Sequence, residues 1–194
     1  MKDVWKVYFN GGFGGKSPDG SHPGQALKLN QKFRFAGRDW YVPAAYLTAK
    51  GLVLDILMRA DKAALEDFCK KWEHLEDEDV PSDVFEQAER ENPLAFEFSP
   101  QIELNGQTLP FSQGHGLSYH PLFQNAAACE PALDEYGESD FDTPTERMII
   151  DHYGLNPEDG WAIHRYSFPW KTKRRPKSIS SLALTLTPQP VRVP

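Results

Sequence analysis

Only two cysteines occur in the 194 residues, Cys69 and Cys129, and neither stands in a CxxC or other ligand spacing, so the sequence offers no disulfide framework and no zinc knuckle. No apolar run approaches the roughly 18 residues that a membrane span needs, and the opening MKDVWKVYFNGG carries too short an apolar stretch for a signal peptide. Together these absences predict a cytoplasmic chain without membrane contact. Positive charge is also short: the formal net charge is −7, which argues against general affinity for nucleic acid or an anionic membrane. There is no internal repeat and no heptad, which excludes solenoids and coiled coils.

Apolar residues, by contrast, are plentiful. At 40% hydrophobic and 12% aromatic the chain has enough to build a core, and its length predicts one globular domain over residues 1–194. Trp5, Val7 and Phe9 alternate as on a strand over 4–9, and a glycine-rich loop follows from Gly11 to Gly24. Leu27 and Leu29, Phe33 and Phe35, then Trp40 and Val42 mark short strands separated by turns at Asn30-Gln31 and Ala36-Gly37-Arg38, a meander. From Gly51 the run LVLDILMR predicts a central strand covered on both faces.

Asp61 is the expected cap of a helix whose apolar stripe is Leu65, Phe68, Cys69 and Trp72, with Glu66–Lys70 and Asp67–Lys71 as i,i+4 pairs. A second helix is predicted over 83–91, ended by Asn92-Pro93. Asn105-Gly106 predicts a two-residue type I′ hairpin that places Ile102 opposite Leu109 and Glu103 opposite Thr108. Residues 111–142 carry no clear period and predict a long excursion. Thr143-Pro144-Thr145-Glu146 is a capping box opening a third helix, which Gly154 closes. Two strands, 161–168 and 178–187, are predicted on either side of the basic turn WKTKRRPK, and the terminal alternation of Val191 and Val193 predicts a strand that continues further. The fold class is therefore α+β, a mainly antiparallel sheet of meander and hairpins with about three helices, the alternative being a β-sandwich with decorating helices.

Four features could carry chemistry. NGGFGGKS, residues 10–17, follows the first strand and matches a phosphate-binding loop except that Asn10 replaces the first glycine. Ser17 is followed by PDGSHPG, which cannot propagate the helix whose amides complete such a loop, so at most an anion nest through Gly14, Gly15 and Lys16 remains. His115 and His120 flank Ser118 in a glycine-containing loop; as metal ligands they need a third and fourth partner from Asp55, Glu103, Asp151 or His164. Asp55 interrupts an apolar strand, where a buried carboxylate serves either as a general acid or base or as half of an ion pair with Arg59, Arg34 or Arg38. His152 and His164 read as boundary or core histidines.

The fourth feature is the tip from Lys171 to Lys177, where Lys173, Arg174 and Arg175 stand beside Trp170 on an otherwise acidic chain. Such a tip either meets an acidic protein surface or docks on the chain's own acidic stretches at 73–83 and 132–142, while nucleic acid is disfavoured by the net charge. The leading expectation is a non-catalytic binding or protein-interaction module with no cofactor. The alternative is a hydrolase-like or metal-dependent enzyme in which His115, His120 and Asp55 converge.

Overall fold

The computed structural model describes residues 5–73, 81–122, 146–172 and 174–189. Among these, eight strands form two antiparallel sheets and three helices pack around them, the α+β class the alternation predicts. No helix among the described residues is long and apolar enough to cross a membrane.

The meander is β1 (Gln25–Phe35), β2 (Arg38–Leu47) and β3 (Gly51–Ala60). Asn30 does not break β1 into two runs as a turn would. It takes φ of +50° and makes a bulge, seen as a register shift against β2 between Lys28 and Gln31. Pro43, which has no N–H to give, falls at the corresponding irregularity between β2 and β3. Ala36 and Gly37, both at positive φ, form the predicted turn. β3 lies between β2 and β7 (Gly160–Pro169) and is buried along nearly its whole length because apolar clusters cover both of its faces, and β6 (Gln113–Tyr119) closes the order β1-β2-β3-β7-β6.

β6 occupies part of the 111–142 stretch read as irregular excursion; residues 123–145, which include Cys129 and the first three residues of the capping box, lie outside the described residues. Its apolar period was hidden by glycines. Gly114 is one because a Cβ there would lie 2.8 Å from the ring of Tyr166 on β7, so only a bare backbone lets that ring lie across the neighbouring strand.

The second sheet has the order β5-β4-β8, with β4 (Phe98–Leu104), β5 (Gln107–Leu109) and β8 (Leu182–Pro188). The hairpin register is the predicted one, Ile102 with Leu109 and Glu103 with Thr108, and Asn105 and Gly106 take φ of +50° and +76°. One apolar cluster joins the two sheets. Leu54, Ile56 and Met58 from β3 meet Phe98, Ile102 and Leu104 from β4, with Trp40, Leu65 and Phe168 around them. Burying each such side chain contributes about 1.5–3 kcal/mol.

α1 (Lys62–Lys71) docks Leu65 and the following Trp72, leaving Phe68 and Cys69 half-buried. Its Asp61 cap makes no side-chain capping bond; the carboxylate pairs with Arg59 at 2.8 Å instead. The expected Asp67–Lys71 pair is also replaced, because Lys71 reaches Glu91 on α2 (Ser82–Glu91). α3 (Glu146–Tyr153) ends at Gly154, whose φ of +61° gives the predicted C-terminal stop.

Residues 5–9 form no ladder, contrary to the strand their alternation predicts. Val7 and Phe9 are buried against Ala44, Tyr46 and Val53 all the same, so the segment lies as a strap on the outer face of β2 and β3. Phe13, further along that strap, joins Ile149 and Ile150 of α3 on the same sheet face.

Candidate functional site

Period-two alternation puts Val53, Asp55 and Leu57 of β3 on the face covered by the strap and α3. Asp55 pairs in register with Arg165 of β7, and Arg165 pairs in register with His115 of β6, so the three stand in one row across the sheet. Asp55 and Arg165 are 0% and 1% exposed. Arg165 Nε and Nη2 donate to the two oxygens of Asp55, each at 2.7 Å, and Nη1 donates to the carbonyl of Gly12 at 2.8 Å. Phe13 and Trp5 lie against the guanidinium, their ring centroids 4.5 and 5.6 Å away.

A second approach to the carboxylate comes from α3. Tyr153 donates its hydroxyl proton to Asp55, so at the 2.7 Å contact with Tyr46 it is Tyr46 that donates, and Tyr46 in turn accepts from Trp5 Nε1 at 3.0 Å. Burial and the Asp55 charge raise the Tyr46 hydroxyl to about 12 and push Tyr153 well above its ordinary range, so both stay protonated. Burial by itself would lower the Arg165 pKa; the Asp55 carboxylate more than offsets this and keeps the guanidinium charged. This carboxylate is fully buried with both oxygens accepting from protein donors, and the arrangement ties strap, sheet and α3 together as an ion-pair joint.

None of the arginines considered from the sequence partners Asp55. Arg59 makes a bidentate contact with Asp159 at 2.8 and 3.2 Å, Arg38 donates to the Pro93 carbonyl, and Arg34 donates to that of Gly37. Arg165 was missed, though its position carried a signal: Trp161 and Ile163 place it on an apolar face, where a lone arginine needs a buried carboxylate.

The glycine loop closes over this joint. Gly12 gives its carbonyl to Arg165, and His115 packs on Gly12, whose built Cβ would lie 3.6 Å from the imidazole Nδ1. Gly15 takes φ of +63°, Lys16 is exposed, and no helix follows Ser17.

His115 and Asp55 thus share a row, with Arg165 between them, while His115 Nε2 contacts the Gln113 side chain at 2.9 Å. His120 is elsewhere. Roughly 13 Å of strand separates His115 from Tyr119, the residue before it, and the ring of His120 faces Cys69, Nε2 to Sγ 3.7 Å. Burial raises the Cys69 thiol and lowers the His120 imidazole, both away from a thiolate–imidazolium pair. Among the described residues no three His, Cys, Asp or Glu side chains are grouped to hold a metal ion. His152 stacks on Trp5 at 4.3 Å, and His164 is half-buried against Phe98 and Tyr166, where desolvation lowers it to about 4.

The basic stretch is not the tip of a hairpin. β7 belongs to the five-stranded sheet and β8 to the three-stranded one, so the described residues between them, 170–172 and 174–181, belong to a connection that crosses between sheets. It runs beside the 104–109 hairpin and bounds a groove of about 330 Å³. Lys171, Arg174, Arg175 and Lys177 line this groove together with Leu104, Leu109 and Trp170; Lys173 lies outside the described residues.

Asn105 fixes this connection to the hairpin turn. Its side-chain oxygen accepts from Ser180 N at 2.7 Å, Ser180 Oγ at 2.9 Å and Ser181 N at 3.2 Å, while its Nδ2 donates to Ser178 O at 2.8 Å. At the other end Trp170 donates through its indole to Thr48 O at 3.1 Å, and Arg175 donates to Gln25 Oε1 at 2.8 Å. Lys50, Arg59, Lys71, Arg90, Arg147 and Arg165 each have a carboxylate partner. Among the described residues the four groove cations have none, as is also true of Lys28, Lys32 and Lys70; what sets the four apart is that they line one groove. Compared with known protein families, curated proteins and solved structures, the chain matches none.

Proposed function

We propose that this chain is a non-catalytic binding module that engages an acidic protein surface through the groove between the 104–109 hairpin and the 170–177 connection. The observation that carries the reading is the set of four cations, Lys171, Arg174, Arg175 and Lys177, around one groove without a carboxylate among them. Removing the five positive charges of 171–177 from the formal −7 leaves the rest of the chain at −12, so long-range attraction to a polyanion is weak and recognition is local. This favours a compact acidic patch over nucleic acid. The enzyme alternative has less behind it, since Asp55 is held by Arg165 and Tyr153 and His120 lies at the far end of β6 from His115.

Calorimetric titration with a hexa-aspartate peptide tests the reading. Binding is expected to weaken as salt rises and to be lost in the double variant Arg174→Glu, Arg175→Glu. Equal binding by that variant, with its fold intact by circular dichroism, overturns it.

A further inference from the structure

We infer that the anion this groove is shaped to hold is a phosphoryl group carried on a peptide side chain; this rests on the binding reading above and names its ligand. The neighbouring backbone gives an extended peptide little to pair with. β5 is three residues long and is followed by Pro110, which has no N–H, so strand addition at this edge cannot supply the affinity. Recognition must therefore come from charge. A single carboxylate facing exposed cations gains little, because each such pair is screened and costs side-chain freedom.

A phosphoryl group differs in kind. It carries a charge of about −1.5 to −2 and three acceptor oxygens, and can engage several cations at once. Two of the four cations here are arginines, whose planar forks match phosphate oxygens. Their backbone is held in place before any ligand arrives, by Asn105 on Ser178, Ser180 and Ser181 at one end and by Trp170 on Thr48 at the other. Pre-fixed walls reduce the ordering cost of binding. The groove, at about 330 Å³, exceeds what a phosphoryl group fills, leaving room for the side chain that bears it.

The test is fluorescence anisotropy on the full chain with three labelled peptides of one sequence, Gly-Gly-Ser-Gly-Gly bearing phosphoserine, aspartate or unmodified serine at the centre, and inorganic phosphate as competitor. The phosphoserine peptide is expected to bind at least tenfold more tightly than the aspartate peptide. Binding is expected to fall at least tenfold in the Arg174→Glu, Arg175→Glu variant with its melting temperature unchanged, and to be displaced by inorganic phosphate only at concentrations well above the peptide's. Equal affinity for the phosphoserine and aspartate peptides overturns the phosphoryl assignment while leaving the acidic-partner reading standing, provided hexa-aspartate still binds. Loss of binding to every anionic peptide overturns both. Retention of phosphoserine binding by the double variant removes the groove as its location, and displacement by inorganic phosphate at equal concentration removes the peptide-borne ligand.

Discussion

Asp55 and Arg165 stand directly opposite each other on β3 and β7, 110 residues apart in the chain, and Arg165 donates two hydrogen bonds of 2.7 Å to Asp55, both side chains being fully buried. They separate two apolar clusters, one around Val7 and Val53 and one around Phe13 and Ile163. Asp55→Asn should cost about 3–5 kcal/mol in urea denaturation, because it leaves the Arg165 charge buried without its counterion. The double variant Asp55→Leu, Arg165→Met should be more stable than either single variant. A double variant less stable than both singles would contradict the account, since removing the second partner should relieve the buried unpaired charge left by removing the first.

Acid stability should report His164. Its folded-state pKa is lowered by burial to about 4 from the ordinary 6.5, and its Nε2 has no hydrogen-bond partner. The unfolded chain therefore takes up this proton first: stability is full above about pH 6.5 and falls as the pH drops towards 4, by roughly 3 kcal/mol in total. His120 and His152 are lowered by burial as well and add a smaller slope of the same sign. In His164→Phe most of the loss between pH 6.5 and 4.5 should vanish from pH-dependent unfolding curves; an unchanged slope contradicts this account.

Asn105 has two roles that one pair of variants can separate. Asn105→Gly keeps the positive φ the turn needs and removes only the bonds to Ser178, Ser180 and Ser181, so a loss of about 1–3 kcal/mol and faster hydrogen exchange at the Ser180 and Ser181 amides are expected. Asn105→Ala should lose more, since alanine is also strained at that φ. Equal stability of the two variants would contradict the strain expected of alanine at this φ.

Gly51→Ala should disturb two strands at once. A Cβ there would lie 2.3 Å from the Phe168 carbonyl oxygen and 2.3 Å from the Phe9 ring, and the carbonyl belongs to the paired backbone of β7. A loss of about 1–3 kcal/mol, the usual range for overpacking, is expected in denaturant melts. A change below about 0.5 kcal/mol, the range of ordinary surface substitutions, would contradict the close approach.

What could be seen in the sequence was local. Asn105-Gly106 announced its hairpin and register because the type I′ turn is decided by two residues, and the apolar run after Gly51 announced a central strand because covering both faces removes alternation. What depends on distant packing was hidden. β6 reads QGHGLSY, and its glycines make sense only once Tyr166 lies across Gly114. The basic stretch suits a hairpin tip equally well until the strands on its two sides are seen in different sheets. Asp55 stood out as a buried carboxylate, but the identity of its partner required knowing that β7 pairs with β3.

The central claim is that the four cations beside the Asn105 turn form the binding surface, and amide chemical-shift mapping of the isotope-labelled chain against the hexa-aspartate peptide tests it most directly. The account predicts shifts concentrated at residues 104–109 and 170–177, and none at 10–17 or around His115. Shifts centred on the glycine loop or on β6, or no shifts at any amide at millimolar peptide, would contradict it.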